Sequence, residues 1–250
     1  MALIEVSSVS KCFRIPSEPR RTIREHVFGF LRPRTFSSLE VLNDISFKLI
    51  PNETLGIMGG NGVGKSTLLK IICGVYPPDS GKVTLHCGIT PILELGVGWN
   101  PELDAVDNIL LAATIMGFSL KQAKQSIEKM LVFAELERFA NLELKHFSSG
   151  MSARLAYSIA FHTVREVLIL DEVFAVGDAG FKERCKKRFN QLRQQGHACI
   201  LVSHDPSQIP EFCDRAILID QGCIAMEASG REITDEYLRR LKGNGEKGPY

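Results

Sequence analysis

Apolar residues along this 250-residue chain follow two rhythms in turn: short strand-length runs, and stretches where they recur every three or four positions. Ala2 to Val9 alternates well enough to predict a strand, which Ser10-Lys11-Cys12-Phe13-Arg14 ends. Glu40 to Leu49 predicts a second strand, and Pro51-Asn52-Glu53 turns into a third, Glu53-Thr54-Leu55-Gly56-Ile57-Met58. A glycine-rich loop follows, then the helical run Leu68-Leu69-Lys70-Ile71-Ile72. Tyr76-Pro77-Pro78-Asp79-Ser80-Gly81 is dense turn chemistry. Lys82–His86 and Ile89–Leu93 read as strands, and Glu94–Pro101 as a loop. From Asp104 to about Lys145 the period is helical, with Ala123, Ile127, Met130, Leu131 and Ala134 on one face. Phe147-Ser148-Ser149-Gly150-Met151 opens a further helix through Leu155, Ile159 and Phe161. Glu166–Asp171 is a continuous apolar strand ending in carboxylates. The basic helix after it turns Phe181, Cys185, Phe189 and Leu192 inward, its lysines and arginines read as a solvated face. Ala198–Ser203 is another buried strand, Ala216–Asp220 and Cys223–Glu227 form a hairpin about Gln221-Gly222, and Glu232–Lys242 is a closing helix. Strands alternating with helices predict an α/β fold, a mostly parallel sheet covered on both faces. A helical insertion spans about 102–162, and an antiparallel β portion lies on the N-terminal side. Residues 1–242 are expected to form the domain and 243–250 a disordered tail.

Composition narrows the classes. The chain is 44% hydrophobic and 24% charged, ordinary for a soluble globular protein. A net charge of +1 gives no argument for nucleic acid as a partner. Seven cysteines are scattered with no C-x-x-C pair, and read as reduced small hydrophobes in a cytosolic compartment. Met1-Ala2-Leu3-Ile4-Glu5-Val6 is too short and too acidic for a signal peptide. No apolar run approaches bilayer-spanning length, so any membrane association is expected to be peripheral.

Residues 16–39 stand apart. Arg20, Arg21, Arg24, Arg32 and Arg34 are interleaved with Ile23, Val27, Phe28, Phe30, Leu31 and Phe36. Ile23, Val27, Phe30 and Leu31 fall at helical spacing, closed by Pro33. Two readings stay open: a basic amphipathic helix for a membrane surface, anionic head group or partner protein, or an arginine-decorated surface loop.

The chemistry centres on Gly59-Gly60-Asn61-Gly62-Val63-Gly64-Lys65-Ser66-Thr67, between a predicted strand and a predicted helix. That context is what a Walker A phosphate loop requires. Glycines let consecutive backbone N–H groups turn onto an anion, and the helix start adds partial positive charge. Lys65 can reach the β- and γ-phosphates of ATP, and the Ser66 hydroxyl can ligate Mg²⁺. Val167-Leu168-Ile169-Leu170-Asp171-Glu172 has the form of a Walker B strand, delivering Asp171 to the magnesium shell and Glu172 beside the γ-phosphate as a general base. Phe13 offers an aromatic face for an adenine ring, or is a core phenylalanine. His204, just past a strand end, either donates to the γ-phosphate or is structural.

Walker A, a helical insertion, Ser148-Ser149-Gly150-Met151, Asp171-Glu172, Gly177-Asp178 and Ser203-His204, in this order, resemble the ATP-binding-cassette (ABC) ATPases over nearly the whole chain. The Phe147–Met151 run looks like a variant of the LSGGQ signature. The resemblance implies an ATPase acting with ATP and Mg²⁺ as a head-to-tail dimer with a second copy of itself. Ser148, Ser149, Gly150 and Met151 of one copy would act in trans on ATP held by the other. It also implies Phe13 for adenine stacking, Glu172 as base, His204 as switch histidine and Asp178 in a loop that crosses the dimer. Glu94 stands where these ATPases usually carry a glutamine, which would make it a magnesium position with an anion in place of an amide. The Ser-Ser-Gly-Met variant, the run Glu172–Phe181, Leu93-Glu94-Leu95-Gly96 and the insertion after Phe13 resemble the exporters of O-antigen, capsular and teichoic acid polysaccharides. That branch implies an integral membrane permease subunit as partner, a lipid-linked polysaccharide as substrate, and a peripheral place on the cytoplasmic face of the bacterial inner membrane. Residues 16–39 would then lie near the permease. Some members of the branch carry a glycan-binding domain after this one; none is expected beyond Lys242 unless the sequence was cut there.

Three competing readings share parts of this pattern. A motor for a drug, lipid or lipoprotein would carry the same hydrolytic motifs. ABC proteins acting on DNA or ribosomes are usually duplicated or carry long coiled coils, neither of which is present. A nucleotide-binding regulator would not need Lys65, Asp171, Glu172 and His204 together.

Overall fold

Nine strands and seven α-helices cover the residues that the structure, a computed structural model, describes: 1–16, 36–92, 98–171 and 177–245. The helix expected over Ile23–Leu31, together with Glu94, Glu172 and residues 246–250, falls outside them. The strands are β1 (Ile4–Pro16), β2 (Phe36–Leu49), β3 (Thr54–Met58), β4 (Ser80–Leu85), β5 (Ile89–Ile92), β6 (Val167–Asp171), β7 (Ala198–Val202), β8 (Arg215–Asp220) and β9 (Cys223–Ala228). The helices are α1 (Lys65–Ile72), α2 (Ala105–Ile115), α3 (Leu120–Ala134), α4 (Ser149–His162), α5 (Ala179–Gln194), α6 (Gln208–Phe212) and α7 (Gly230–Gly245).

Two sheets organise the chain. An antiparallel sheet has the order β2-β1-β4, and a six-stranded sheet the order β5-β6-β7-β3-β8-β9. In the larger sheet all pairings are parallel except β8–β9. Its central strands are apolar without interruption because both faces are covered: β3 and β7 are buried at every position. Alternate side chains go to opposite faces. Ile57, Val167, Ile169, Ile200, Val202 and Ile217 join the antiparallel sheet and Leu68, Leu69, Ile71 and Ile72 of α1. Leu168, Leu170, Cys199 and Leu201 pack on the other side against Tyr157 and Phe161 of α4 and Phe181, Cys185, Phe189 and Leu192 of α5. Burial pushes the thiols of Cys73, Cys185 and Cys199 up to about 12, so they behave as small apolar groups. All seven cysteines are free. The helical insertion has its own core, with Ala105, Ile109, Met130, Leu131 and Ala134 gathered around Leu155 and Ile159 of α4. Helix α4 therefore belongs to two cores at once.

Several expected boundaries move. Strand β1 does not end at Val9 but continues through Ser10–Arg14 to Pro16, because register shifts between Val6 and Cys12 break its alternation without breaking its pairing to β2. Strand β2 begins at Phe36, so both ends of the 16–39 segment are strand, with Pro16 opposite Phe36. Helix α7 runs to Gly245, beyond the Lys242 limit. The basic face of α5 is not merely solvated. Arg184 donates to Phe133 O at 2.7 Å, Arg188 to Phe161 O at 3.1 Å, Lys186 pairs with Glu211 at 3.1 Å and Arg193 with Asp214 at 3.2 Å.

Candidate nucleotide site

The carboxyl ends of β3, β6 and β7 are level, because Ile57 and Asp171 both pair with Val202. Open α/β sheets bind ligands at this end of their strands. Gly59–Gly64 leaves β3 there and returns as α1, whose first residues include Lys65 and Ser66. Gly64 caps α1 at φ 105°, and a Cβ on it would lie 2.7 Å from both Val41 O and Leu42 Cδ2. Only glycine meets both demands. No side chain caps α1, so its first N–H groups stay available to an anion.

Lys65 is buried and lies across the loop, its Nζ donating to Gly59 O at 2.9 Å and Gly60 O at 2.8 Å. Ser66 Oγ donates to Asp171 Oδ2 at 3.1 Å, joining positions 105 residues apart. A serine hydroxyl and a carboxylate side by side at the end of the glycine loop are oxygen donors of the kind a hard divalent cation such as Mg²⁺ takes. The structure thus brings Lys65, Ser66 and Asp171 together. Glu172 follows Asp171 directly in the chain but, like Glu94, is outside the described residues.

His204 is exposed just past β7, in a turn tied by Ser203. Ser203 Oγ donates to Gln208 Oε1 at 3.0 Å and accepts from Asp205 N at 3.0 Å. Hydrogen bonding from Ser207 holds the Asp205 carboxyl below its usual range. Phe13 sits on the extended part of β1. Tyr76 meets its ring edge-on at 5.7 Å between centroids, and the Lys11 ammonium lies 5.6 Å from its centre. Lys11 is held by Pro77 O and Asp79 Oδ1, each at 2.8 Å, while Cys12 N donates to Asp79 Oδ2 at 2.7 Å. The hydrogen bond from Lys11, then that from Cys12, keeps the Asp79 carboxyl below its usual range. In the sequence Tyr76 and Asp79 belong to a turn. Only the long-range pairing shows that the turn fixes Phe13.

Ser148, Ser149, Gly150 and Met151 are not part of this group. Ser148 caps α4 by accepting from Met151 N at 3.2 Å, and Ser149 and Gly150 are exposed. A Cβ on Gly150 would meet only Ser148 Oγ, at 3.9 Å, and one on Gly62 would meet nothing within 4 Å. The two loops face solvent from separate parts of one chain. Asp178 caps α5, accepting from Phe181 N at 2.9 Å.

Phosphate loop, strand-end aspartate and strand order define a P-loop nucleotide-binding protein. Residues 42–175 match the ABC transporter family, and the chain belongs to that family. It is 37% identical over 98% of its length to "ABC transporter protein AbcA" of Aeromonas salmonicida, covering 79% of that protein. It is 36% identical over 87% of its length to "O-antigen export system ATP-binding protein RfbB" of Klebsiella pneumoniae, covering 87% of it. Against "Teichoic acids export ATP-binding protein TagH" of Bacillus anthracis it is 31% identical over 96% of its length, spanning 43% of that longer protein. Its fold matches an ATP-binding subunit of an ABC transporter with a TM-score of 0.76 at 23% identity, over 98% of this chain and 100% of that one. A dimeric ATP-binding cassette bound to ADP and Pi matches with a TM-score of 0.73 at 22% identity, over 91% and 99%.

Proposed function

We propose that this chain is the ATP-hydrolysing subunit of an exporter whose cargo is a lipid-linked polysaccharide. The hydrogen bond between Ser66 and Asp171, beside the Lys65-bridged glycine loop, carries the catalytic half of this reading. The names of the O-antigen and teichoic acid relatives support the cargo.

Lys65 exchanges its two loop carbonyls for phosphate oxygens, and the loop N–H groups bind the rest of the triphosphate. Ser66 and Asp171 would hold Mg²⁺, whose chemistry there would be charge neutralisation at the phosphates. Glu172 accepts the proton of the water whose oxygen bonds to the γ-phosphorus as the bridge to the β-phosphate breaks. General-base help of this kind is worth about 10²–10⁴ in rate. His204 donates to the γ-phosphate, and Phe13 stacks on adenine. The solvent-facing Ser149–Gly150 tip of α4 closes on ATP bound to a second copy, the helix start suiting the anion. Glu94 is proposed at the magnesium edge. Among the described residues no helix is long and apolar enough to cross a membrane. The subunit is therefore proposed to work peripherally, on the cytoplasmic face, through a permease partner.

The experiment is the Glu172→Gln variant with ATP and Mg²⁺. It should bind ATP, stop hydrolysing it and accumulate as a dimer on size exclusion, reverting to monomer without nucleotide. Hydrolysis at the native rate would remove Glu172 from the base role.

A further inference from the structure

A four-residue charge network joins the helical insertion to the loop that carries Asp178. Glu135 ends α3, Arg154 lies one turn into α4, Asp178 caps α5 and Arg184 lies on α5. Arg154 bridges two carboxylates, donating to Glu135 Oε2 and to Asp178 Oδ2. Arg184 donates to the other oxygen of Glu135 and, at 2.7 Å, to Phe133 O. The Arg154 guanidinium also lies 5.5 Å from the centre of the Phe181 ring. Asp178 has one oxygen on Phe181 N and the other on Arg154, so both are engaged within its own chain.

The backbone at Glu135 makes the arrangement unusual. Its φ is 58°, the left-handed conformation in which a helix end ordinarily carries glycine. Strained positions persist where their surroundings hold them. Here a glycine would relieve the backbone but would forfeit the carboxylate that both arginines clasp. Taken singly, partly exposed ion pairs of this kind add little to stability.

We infer that Glu135 and Arg154 are positioning residues, tying the signature-bearing start of α4 to the Asp178 loop so that the two parts each chain presents to its partner move together. The network supplies a contiguous physical link between them. The inference rests on the proposed head-to-tail dimer.

Glu135→Gly tests it, because this substitution relaxes the backbone while removing the carboxylate. Its melting temperature should stay at the native value or rise, and its KM for ATP should stay within twofold. Its kcat should fall about five- to tenfold, a typical size for coupling through such a link. In the Glu172→Gln background, the protein concentration needed for the ATP-driven dimer should rise by a similar factor. Arg154→Lys, whose ammonium cannot span both carboxylates as a guanidinium does, should fall between Glu135→Gly and the native chain. Native kcat and native dimerisation in Glu135→Gly overturn the inference. So does a fall in kcat matched by a fall in melting temperature in both variants, which marks a merely structural role. Failure of Glu172→Gln alone to dimerise with ATP would instead sink the dimer reading itself.

Discussion

Lys65 shows how the sequence sets a side chain's task while the fold sets its resting state. Its place after Gly64 announces a phosphate ligand, yet its ammonium rests on Gly59 O and Gly60 O. Phe13 is the reverse case, since on the chain it could equally be a core phenylalanine. The clamp of Lys11 and Asp79 and the edge contact with Tyr76 hold it partly exposed on β1. Phe13→Ala should raise KM for ATP about tenfold with kcat kept, since stacking on a base is worth roughly 1–3 kcal/mol. Steady-state kinetics over a range of ATP concentrations would check this. His162 carries a second residue-scale prediction. Its Nδ1 lies 2.7 Å from Ser158 O, the Phe133 ring meets it at 5.4 Å, and Lys129 and Arg188 are the charged groups acting on it. Burial, the largest cause, lowers its pKa from the ordinary value near 6.5. As pH falls through that value the unfolded chain takes up a proton that the folded chain refuses, so stability falls until the folded pKa is passed. Denaturant midpoints from pH 7 to pH 5 should therefore drop less steeply for His162→Gln than for the native chain.

Elements were legible where burial is simple. Val167–Leu170 and Ala198–Val202 are buried on both faces and read as continuous apolar runs. Helix α3 carries its boundary openly: Ser119 and Gln122 form a reciprocal capping box, Ser119 N donating to Gln122 Oε1 at 3.0 Å. Ser119→Ala should cost about 1 kcal/mol, and a melting point roughly 2–4 °C lower in a calorimetric scan would show it. Strand β1 outruns its alternating pattern because its bulges disturb the period of two that marks a strand. Helix α6 leaves no periodic signal in the sequence, since it is five residues long and holds Pro210. The α5 arginines looked solvated because a one-dimensional pattern does not show which carbonyls lie opposite a helix face.

At the scale of the whole molecule, 16–39 is a pair of strand ends joined by residues 17–35. Pro16 directly opposes Phe36, so a short turn can replace residues 17–35 without disturbing β1, β2 or Phe13. That deletion should leave ATP hydrolysis by the isolated subunit near its native rate and abolish polysaccharide export in cells. Unimpaired export would remove the segment from the transport role. The sequence determined the parts by itself: the phosphate loop, the Asp171 strand, the α4 start and the alternation of strands with helices are all local patterns within a few residues. Strand order was decided only by the tertiary structure. Placing β3 between β7 and β8 sets the glycine loop level with Asp171, 105 residues from Ser66, and puts α4 across two cores. Such pairings depend on which apolar faces can be buried together over long separations, and no window of neighbouring residues contains that information.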